Sequence, residues 1–258
     1  MIRTVVATDY IHPLREGGSL PAIVRANDGE LYAMKFVGAG QGPKALIAEL
    51  IGGEIARRLG FRMPEVVLME LDPAIGQAEP DQEIQDLLQS SAGLNLALAF
   101  LSESVAYRAH VSPKPTPEFA ARLVWLDAFI TNMDRTPRNV NLLVHQDEVW
   151  LIDHGAALYF HHNWRDHIQQ SESRFPLIKE HVLLPFAGSI AEADAEVKPL
   201  LDSAFFEQLV NQIPDPWLVI DSPYDEADAH RHGYVEYLTH RLANSQLFVE
   251  EADKARLG

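Results

Sequence analysis

The periodicity of apolar residues changes partway along the chain, and this limits the available folds more than any other feature. Up to about residue 105 the apolar residues fall in short runs of strand type around one long helical segment. IRTVVAT reads as a strand, and PAIVRANDGELYAMKFV as two strands around Asn27-Asp28-Gly29, where Asp-Gly suits a tight hairpin turn. KALIAELIGGEIARRLG has helical spacing, with a predicted start near Pro43 and a stop at Gly60. MPEVVLMEL and GLNLALAFL return to strand character on either side of a short helix, DQEIQDLLQSS. SESVAYRAHVSPKPTP then loses periodicity and carries three prolines, which marks it as the linker. Behind it TPEFAARLVWLDAFITN offers Thr116 as N-cap and Pro117 at the first helical position. VNLLV and EVWLI read as two short strands around HQDE, and from about residue 155 the chain reads as mainly helical. Strands with one helix, a linker, then a helix-rich half with a small hairpin make an α+β plan. The expectation is two lobes, 1–105 β-rich and 106–258 mainly helical, with a cleft between them.

A chain of 258 residues, 47% of them hydrophobic, can bury a substantial core. Its 21 basic residues stand against 37 acidic ones, and a formal charge of -16 argues against nucleic acid and against anionic membrane surfaces as partners. With no cysteine, disulfides and thiolate metal sites are excluded. MIRTVVATDYIHPL lacks the apolar core of a signal peptide, and no run approaches the roughly 18 apolar residues that span a bilayer, so a cytoplasmic protein is expected. Neither composition nor pattern speaks to oligomeric state.

The stretch NMDRTPRNVNLLV, residues 132–144, places polar, helix-hostile residues directly before an apolar strand. Asn, Asp and Pro favour ordinary turns, so a plain connection is one reading; a loop holding reactive groups on a rigid frame is the other. Asp134 and Asn139 lie five apart in this loop, and Asp153 closes a strand 14 residues later. Magnesium accepts one or two carboxylates, an amide oxygen, phosphate oxygens and water, so Asn139 and Asp153 suit a nucleotide-bound ion. Asp134 is then free to orient or deprotonate an attacking hydroxyl, and its D-x-x-x-x-N spacing matches the phosphoryl-transfer loop of kinases. Arg135 and Arg138 are candidates for neutralising transferring phosphoryl charge, with surface pairing to the acidic excess as the alternative.

Such chemistry also needs a phosphate cradle, a strand lysine and a helical acid to hold it. EGGSLP, with Gly18 and Ser19, offers backbone N–H groups in a flexible turn. Lys35 sits in the apolar strand YAMKF, where loss of hydration calls for a carboxylate or a ligand phosphate. The following helix carries Glu49 and Glu54. Glu54 precedes Arg58 by four residues, an exposed pairing, whereas Glu49 has no basic residue at +3 or +4, so Glu49 is the expected partner of Lys35. Gly52-Gly53 inside that helix cost about 2 kcal/mol relative to two alanines, which points to close packing or a movable helix.

These residues together resemble the HipA-like kinases, a bacterial branch of the protein-kinase-like fold, from about residue 15 to 165. NMDRTPRNVNLL resembles the family's N-x-D-x-x-x-x-N catalytic loop, with a D-R start similar to that of phosphatidylinositol kinases; WLIDHGAAL resembles the metal-binding D-x-G segment. The resemblance implies a bilobal enzyme using ATP and magnesium. Asp134 would be the catalytic Asp, Asn139 and Asp153 the magnesium ligands, Lys35 the contact to the α- and β-phosphates and Glu49 its partner. It suggests a protein serine or threonine as acceptor, with a small-molecule alcohol as the alternative. His154 stands where protein kinases commonly carry Phe, and G-G-S-L-P differs from the eukaryotic G-x-G-x-x-G.

Other readings are weaker. GAGQGPKA fails the P-loop template, because Ala45 stands where Ser or Thr must hold magnesium; a mobile loop above the nucleotide, with Lys44 near phosphate, is preferred. His161, His162 and His167, with His154 and His181, lack a regular metal-ligand motif and read as structural. A nucleotide-binding module without turnover, and transfer of AMP in place of phosphate, remain open.

Overall fold

The computed structural model describes residues 2–14, 20–76, 79–109, 112–220 and 222–258. Gly18 and Ser19, the expected phosphate cradle, lie outside the described residues. The first strands, β1 (Thr4–Pro13), β2 (Ala22–Ala26) and β3 (Leu31–Lys35), run antiparallel in sequence. The β2–β3 turn closes with the Gly29 N–H donating to the Ala26 carbonyl at 2.9 Å, and Gly29 at φ 87 takes the left-handed conformation the turn requires. β4 (Val66–Leu71) and β5 (Gly93–Ala99) complete a closed barrel in the order β1-β2-β3-β5-β4, sealed by parallel pairing of β1 with β4. Closure leaves no free edge. Val5, Val24, Met34, Val67, Met69 and Ala97 fill its interior.

Helix α1 (Pro43–Arg58) follows β3, and α2 (Gln82–Ser90) adds Ile84 and Leu88 to the barrel cluster. Residues of α1 are buried around most of its circumference, because one side packs on the outer face of β5 and the other on the carboxy-terminal helices. Both glycines of the pair are tightly packed: a Cβ on Gly52 would lie 2.8 Å from the His154 Cβ, and one on Gly53 3.1 Å from the Met63 Cε. Glu54 bonds Arg57 at 3.1 Å, one residue short of the expected Arg58, whose guanidinium instead donates to the Leu200 carbonyl.

The expected linker is not structureless. Val105–Ala106 form β6, which pairs with β7 (Leu142–His145), and β7 pairs with β8 (Glu148–Leu151). β6 escaped the sequence reading because two residues paired to a distant strand carry no local periodicity. The β7–β8 connection, Gln146 at φ 52 and Asp147 at φ 63, has both central residues left-handed, the type I′ arrangement of a two-residue hairpin. Thr116 caps α3 (Pro117–Phe129) by accepting from the Phe119 N–H at 3.2 Å. The remainder comprises α4 (His167–Ser171), α5 (Ile190–Val197), α6 (Ser203–Val210), α7 (Asp215–Val219), α8 (Ala227–Ala243) and α9 (Gln246–Leu257), with short 3-10 turns between them. Trp125, Phe129 and Phe206 stack in series at the centre of this helical core, with Phe248 packed edge-on against Trp125. The Trp217 indole N–H of α7 donates to the Leu94 carbonyl of β5 at 3.0 Å, tying the helices to the barrel. No described helix is long and apolar enough to cross a membrane.

Candidate active site

Strand alternation sends Met34 into the barrel and Lys35 to the outer face, beside its register partner Leu96 and towards α1. There the Lys35 ammonium donates to Glu49 Oε2 and to Asp153 Oδ1, each at 2.5 Å. Burial alone would lower the pKa of Lys35, but the two carboxylates outweigh it and hold the ammonium above its ordinary range. Glu49 is fully buried; burial would raise its pKa, yet the Lys35 charge and the adjoining His154 side chain bring it well below the ordinary carboxylate range. The pair is therefore ionised near neutrality.

Asp153 arrives from the other half of the sequence, two residues beyond β8, in a left-handed conformation at φ 57. Thr131 at φ 53 and Asn141 at φ 50 share that unusual conformation at the two ends of the loop between α3 and β7. Non-glycine residues held there cost of order 1–3 kcal/mol each and persist only where the surroundings impose them. The loop itself presents Asp134, whose Oδ2 accepts from the Asn139 amide at 2.6 Å. Partial burial pushes the Asp134 pKa up, assisted by the nearby Asp153 charge and opposed by the Asn139 hydrogen bond.

Lys35, Asp134, Asn139 and Asp153 line one cleft of about 220 Å³, closed on one side by Ala39–Gly42 and by Ala45 and Leu46 of α1. The loop leaves β3 in a fixed direction because the Val37 N–H donates to the buried Asn95 Oδ1 at 2.8 Å. Lys44 lines not this cleft but an adjoining groove of about 730 Å³, with Tyr159, His162 and Ile220. Arg138 is exposed on the loop.

Arg135 departs from both readings of the sequence. It is 1% exposed and faces away from the cleft, with its Nε donating to Asp127 Oδ2 at 2.6 Å, its Nη1 to the Asn141 and Ile152 carbonyls and its Nη2 to His154 Nε2. Asp127, in α3, also accepts from the Asn132 amide at 2.9 Å and from His181 Nε2 at 2.9 Å. Sequence reasoning passed over Asp127, although a lone charge amid LVWLDAFI signals a buried, paired carboxylate. Arg241 was missed as well. Fully buried, it donates to the carbonyls of Ala128, Phe129, Ser171 and Ser173 and so satisfies the end of α3, from which the loop departs. The histidines do not converge: His154 and His181 belong to this buried network, while His161 contacts the Tyr234 hydroxyl at 3.1 Å.

The donors in the cleft are oxygens, which suit a hard divalent cation such as magnesium. Among the described residues no three acidic or histidine side chains gather to hold a metal. An ion at Asn139 and Asp153 would therefore take the rest of its shell from phosphate oxygens and water, the usual arrangement for magnesium.

A barrel lysine salt-bridged to a helical glutamate and to Asp153, on the wall of a cleft shared with an Asp–Asn loop, defines a phosphotransferase of kinase-like fold, mixed in helix and strand. The sequence model of the HipA-like kinases matches residues 8–250, and the chain belongs to that family. A Helicobacter pylori proinflammatory kinase, CtkA, is similar in structure, with a TM-score of 0.59 at 13% identity over 96% of this chain and 98% of that one. A Golgi casein kinase gives a TM-score of 0.49, and its structure with Mn/ADP bound gives 0.47, each at 13% identity over 97% of this chain and 73% of that one. No curated protein matches the chain in sequence.

Proposed function

We propose that the protein transfers the γ-phosphoryl group of ATP, with magnesium, to a hydroxyl of a protein serine or threonine. The observation that carries this reading is the meeting of Lys35 and Asp153, 118 positions apart, at 2.5 Å on the wall of a cleft that also holds Asp134 and Asn139. Residues 1–105 form the lobe that holds the nucleotide and residues 106–258 the lobe that holds the acceptor, with the cleft between them. Lys35, steadied by Glu49, contacts the α- and β-phosphates. Asn139 and Asp153 hold the magnesium ion, which when bound neutralises charge on the phosphate oxygens. Asp134 orients the acceptor hydroxyl and takes its proton, and its upward-shifted pKa makes it a better base than an ordinary aspartate. Arg138, exposed beside Asn139, is free to swing onto the transferring group. Catalysis then arises mainly from positioning and charge stabilisation. The adjoining groove beyond Ala39–Gly42, open and lined by Tyr159 and Ile220, has room for an extended polypeptide, which favours a protein acceptor over a small-molecule alcohol.

The test uses ATP labelled at the γ- or the α-phosphate with a protein acceptor mixture. Only the γ-label should transfer. Asp134→Ala should lower the rate by about 10²–10⁴-fold, as loss of a general base does, with Mg·ATP affinity retained. Asp153→Ala should weaken Mg·ATP binding itself. Transfer at the wild-type rate by Asp134→Ala would refute the assignment, and α-label in the product would replace phosphoryl transfer by AMP transfer.

A further inference from the structure

His154 is fully buried between the two halves of the site. It rests on Gly52, where a Cβ would lie 2.8 Å from its own Cβ, and its backbone N–H donates to Glu49 Oε2 at 2.8 Å. The ring has a polar atom at each end. At one end, Nε2 lies 3.1 Å from Arg135 Nη2. A guanidinium only donates, so Nε2 accepts, and the ring hydrogen is left on Nδ1. At the other end, Nδ1 lies 3.6 Å from Glu49 Oε1. Both of those atoms are buried, and among the described residues neither has a hydrogen-bond partner. Two unsatisfied buried polar atoms facing each other are costly, and a shift of about 0.5 Å brings them into hydrogen-bonding range.

We propose that His154 is a positioning residue that links the catalytic loop to the nucleotide lysine through the polar chain Asp127–Arg135–His154–Glu49–Lys35, whose His154–Glu49 step closes with that small shift. The inference rests on the assignment of Lys35 to the nucleotide, made above. Arg135 is itself fixed by Asp127 and by the Asn141 and Ile152 carbonyls, so it reports the fold of the loop that carries Asp134 and Asn139. With the 3.6 Å gap closed, His154 passes that order on by holding Oε1 of Glu49 while Oε2 holds Lys35. An apolar ring at 154 fills the same space over Gly52 but leaves Oε1 and the Arg135 Nη2 without partners, and the two halves of the site are then aligned by packing alone.

The test has two arms. Long-range nitrogen–proton NMR of the protein labelled with ¹⁵N-histidine, with the His154 signal assigned by its loss in His154→Gln, reads the tautomer directly. A hydrogen on Nδ1 is expected, and one on Nε2 overturns the proposal. The second arm measures Mg·ATP dissociation constants for His154→Phe, His154→Asn, His154→Gln, Glu49→Gln and the double variant His154→Phe/Glu49→Gln. His154→Phe should weaken binding about tenfold, the equivalent of one buried hydrogen bond. His154→Asn, whose amide N–H stands where Nδ1–H stood, should recover part of that loss, and His154→Gln less. In the Glu49→Gln background, His154→Phe should add under about twofold, because it acts through Glu49. Multiplication of the two single effects, or equal losses for Asn and Phe, overturns the relay. Should the wild type bind no nucleotide, the proposed function fails, while the relay is still judged by the tautomer and by the same cycle read in urea unfolding.

Discussion

Gly52 and Gly53 are adjacent in one helix and share one propensity, yet replacing them with alanine should change stability in opposite directions. Alanine gains about 0.8–1 kcal/mol over glycine in a helix interior. At Gly53 the new methyl meets the Val66 Cγ2 at an ordinary 3.9 Å and crowds the Met63 Cε at 3.1 Å, the free end of a flexible side chain that turns aside, so most of the gain survives. At Gly52 it meets the His154 Cβ at 2.8 Å, the ring Cγ at 3.2 Å and the Ile130 Cδ1 at 3.2 Å. The first of these is a branch point fixed to backbone, and His154 is itself held by Glu49 and Arg135. Overpacking of this kind costs about 1–3 kcal/mol. Subtracting the propensity gain leaves Gly52→Ala destabilised by about 1 kcal/mol and separates the two variants by about 2 kcal/mol. Urea unfolding followed by circular dichroism reads the difference as a shift in midpoint at constant slope. Gly52→Ala should also raise the KM for ATP, since His154 pushed off α1 draws its N–H from Glu49, whereas Gly53→Ala should leave KM alone. Equal stabilisation by both alanines would show that the helix and the Asp153–His154 segment are not in rigid contact, and the account of the joint would fail.

Asp127→Asn should destabilise the fold by about 3–5 kcal/mol, the cost of stranding a buried partner, because Arg135 loses its counter-charge and His181 its carboxylate acceptor. Burial raises the Asp127 pKa, but the Arg135 charge and the His181 hydrogen bond depress it below the unfolded value of about 3.9, so this stabilisation is complete above about pH 4 and fades as pH falls. Acid titration of unfolding should accordingly show a flatter profile below about pH 4 for Asp127→Asn than for the wild type. Arg241→Lys keeps a charge but has three donors without the fork geometry for four carbonyls, and should cost about 2–4 kcal/mol in urea unfolding; a loss under about 0.5 kcal/mol would mean that the end of α3 does not depend on it.

Much of the local structure was legible because local physics writes it. The Asp28-Gly29 turn, the Thr116 cap with Pro117 behind it and the Gly60 stop each follow from backbone preferences of one or two residues, and the structure carries all three. Glu49 was separable from Glu54 by its lack of a helical neighbour of opposite charge, and it is Glu49 that bonds Lys35. Long-range pairing was not legible. Closure of the barrel by parallel β1 and β4, and recruitment of Val105–Ala106 into β6, depend on chain segments far apart, which periodicity does not encode. Arg135 misled for a related reason: a loop arginine reads as exposed, and only Asp127, in the preceding helix, makes its burial possible.

The three cations buried around the site show why a chain with net charge -16 places charge where it is most expensive. Lys35 is matched by two carboxylates, Arg135 by one carboxylate and two carbonyls, and Arg241 by four carbonyls and the face of Phe248 at 4.9 Å. Desolvating such groups offsets most of what their partners return, so a core built only for stability would fill these places with apolar side chains. What an apolar contact lacks is direction. Each of these cations binds at least two groups from different segments and tolerates little displacement of any of them: Lys35 joins α1 to the end of β8, Arg135 joins α3 to both ends of the β7–β8 hairpin, and Arg241 joins α8 to the end of α3. The left-handed conformations of Thr131, Asn141 and Asp153 lie at those same junctions. Strain there can be sustained only because the buried polar contacts over-determine the backbone, and the position of Asp134 relative to Lys35 is the quantity they fix.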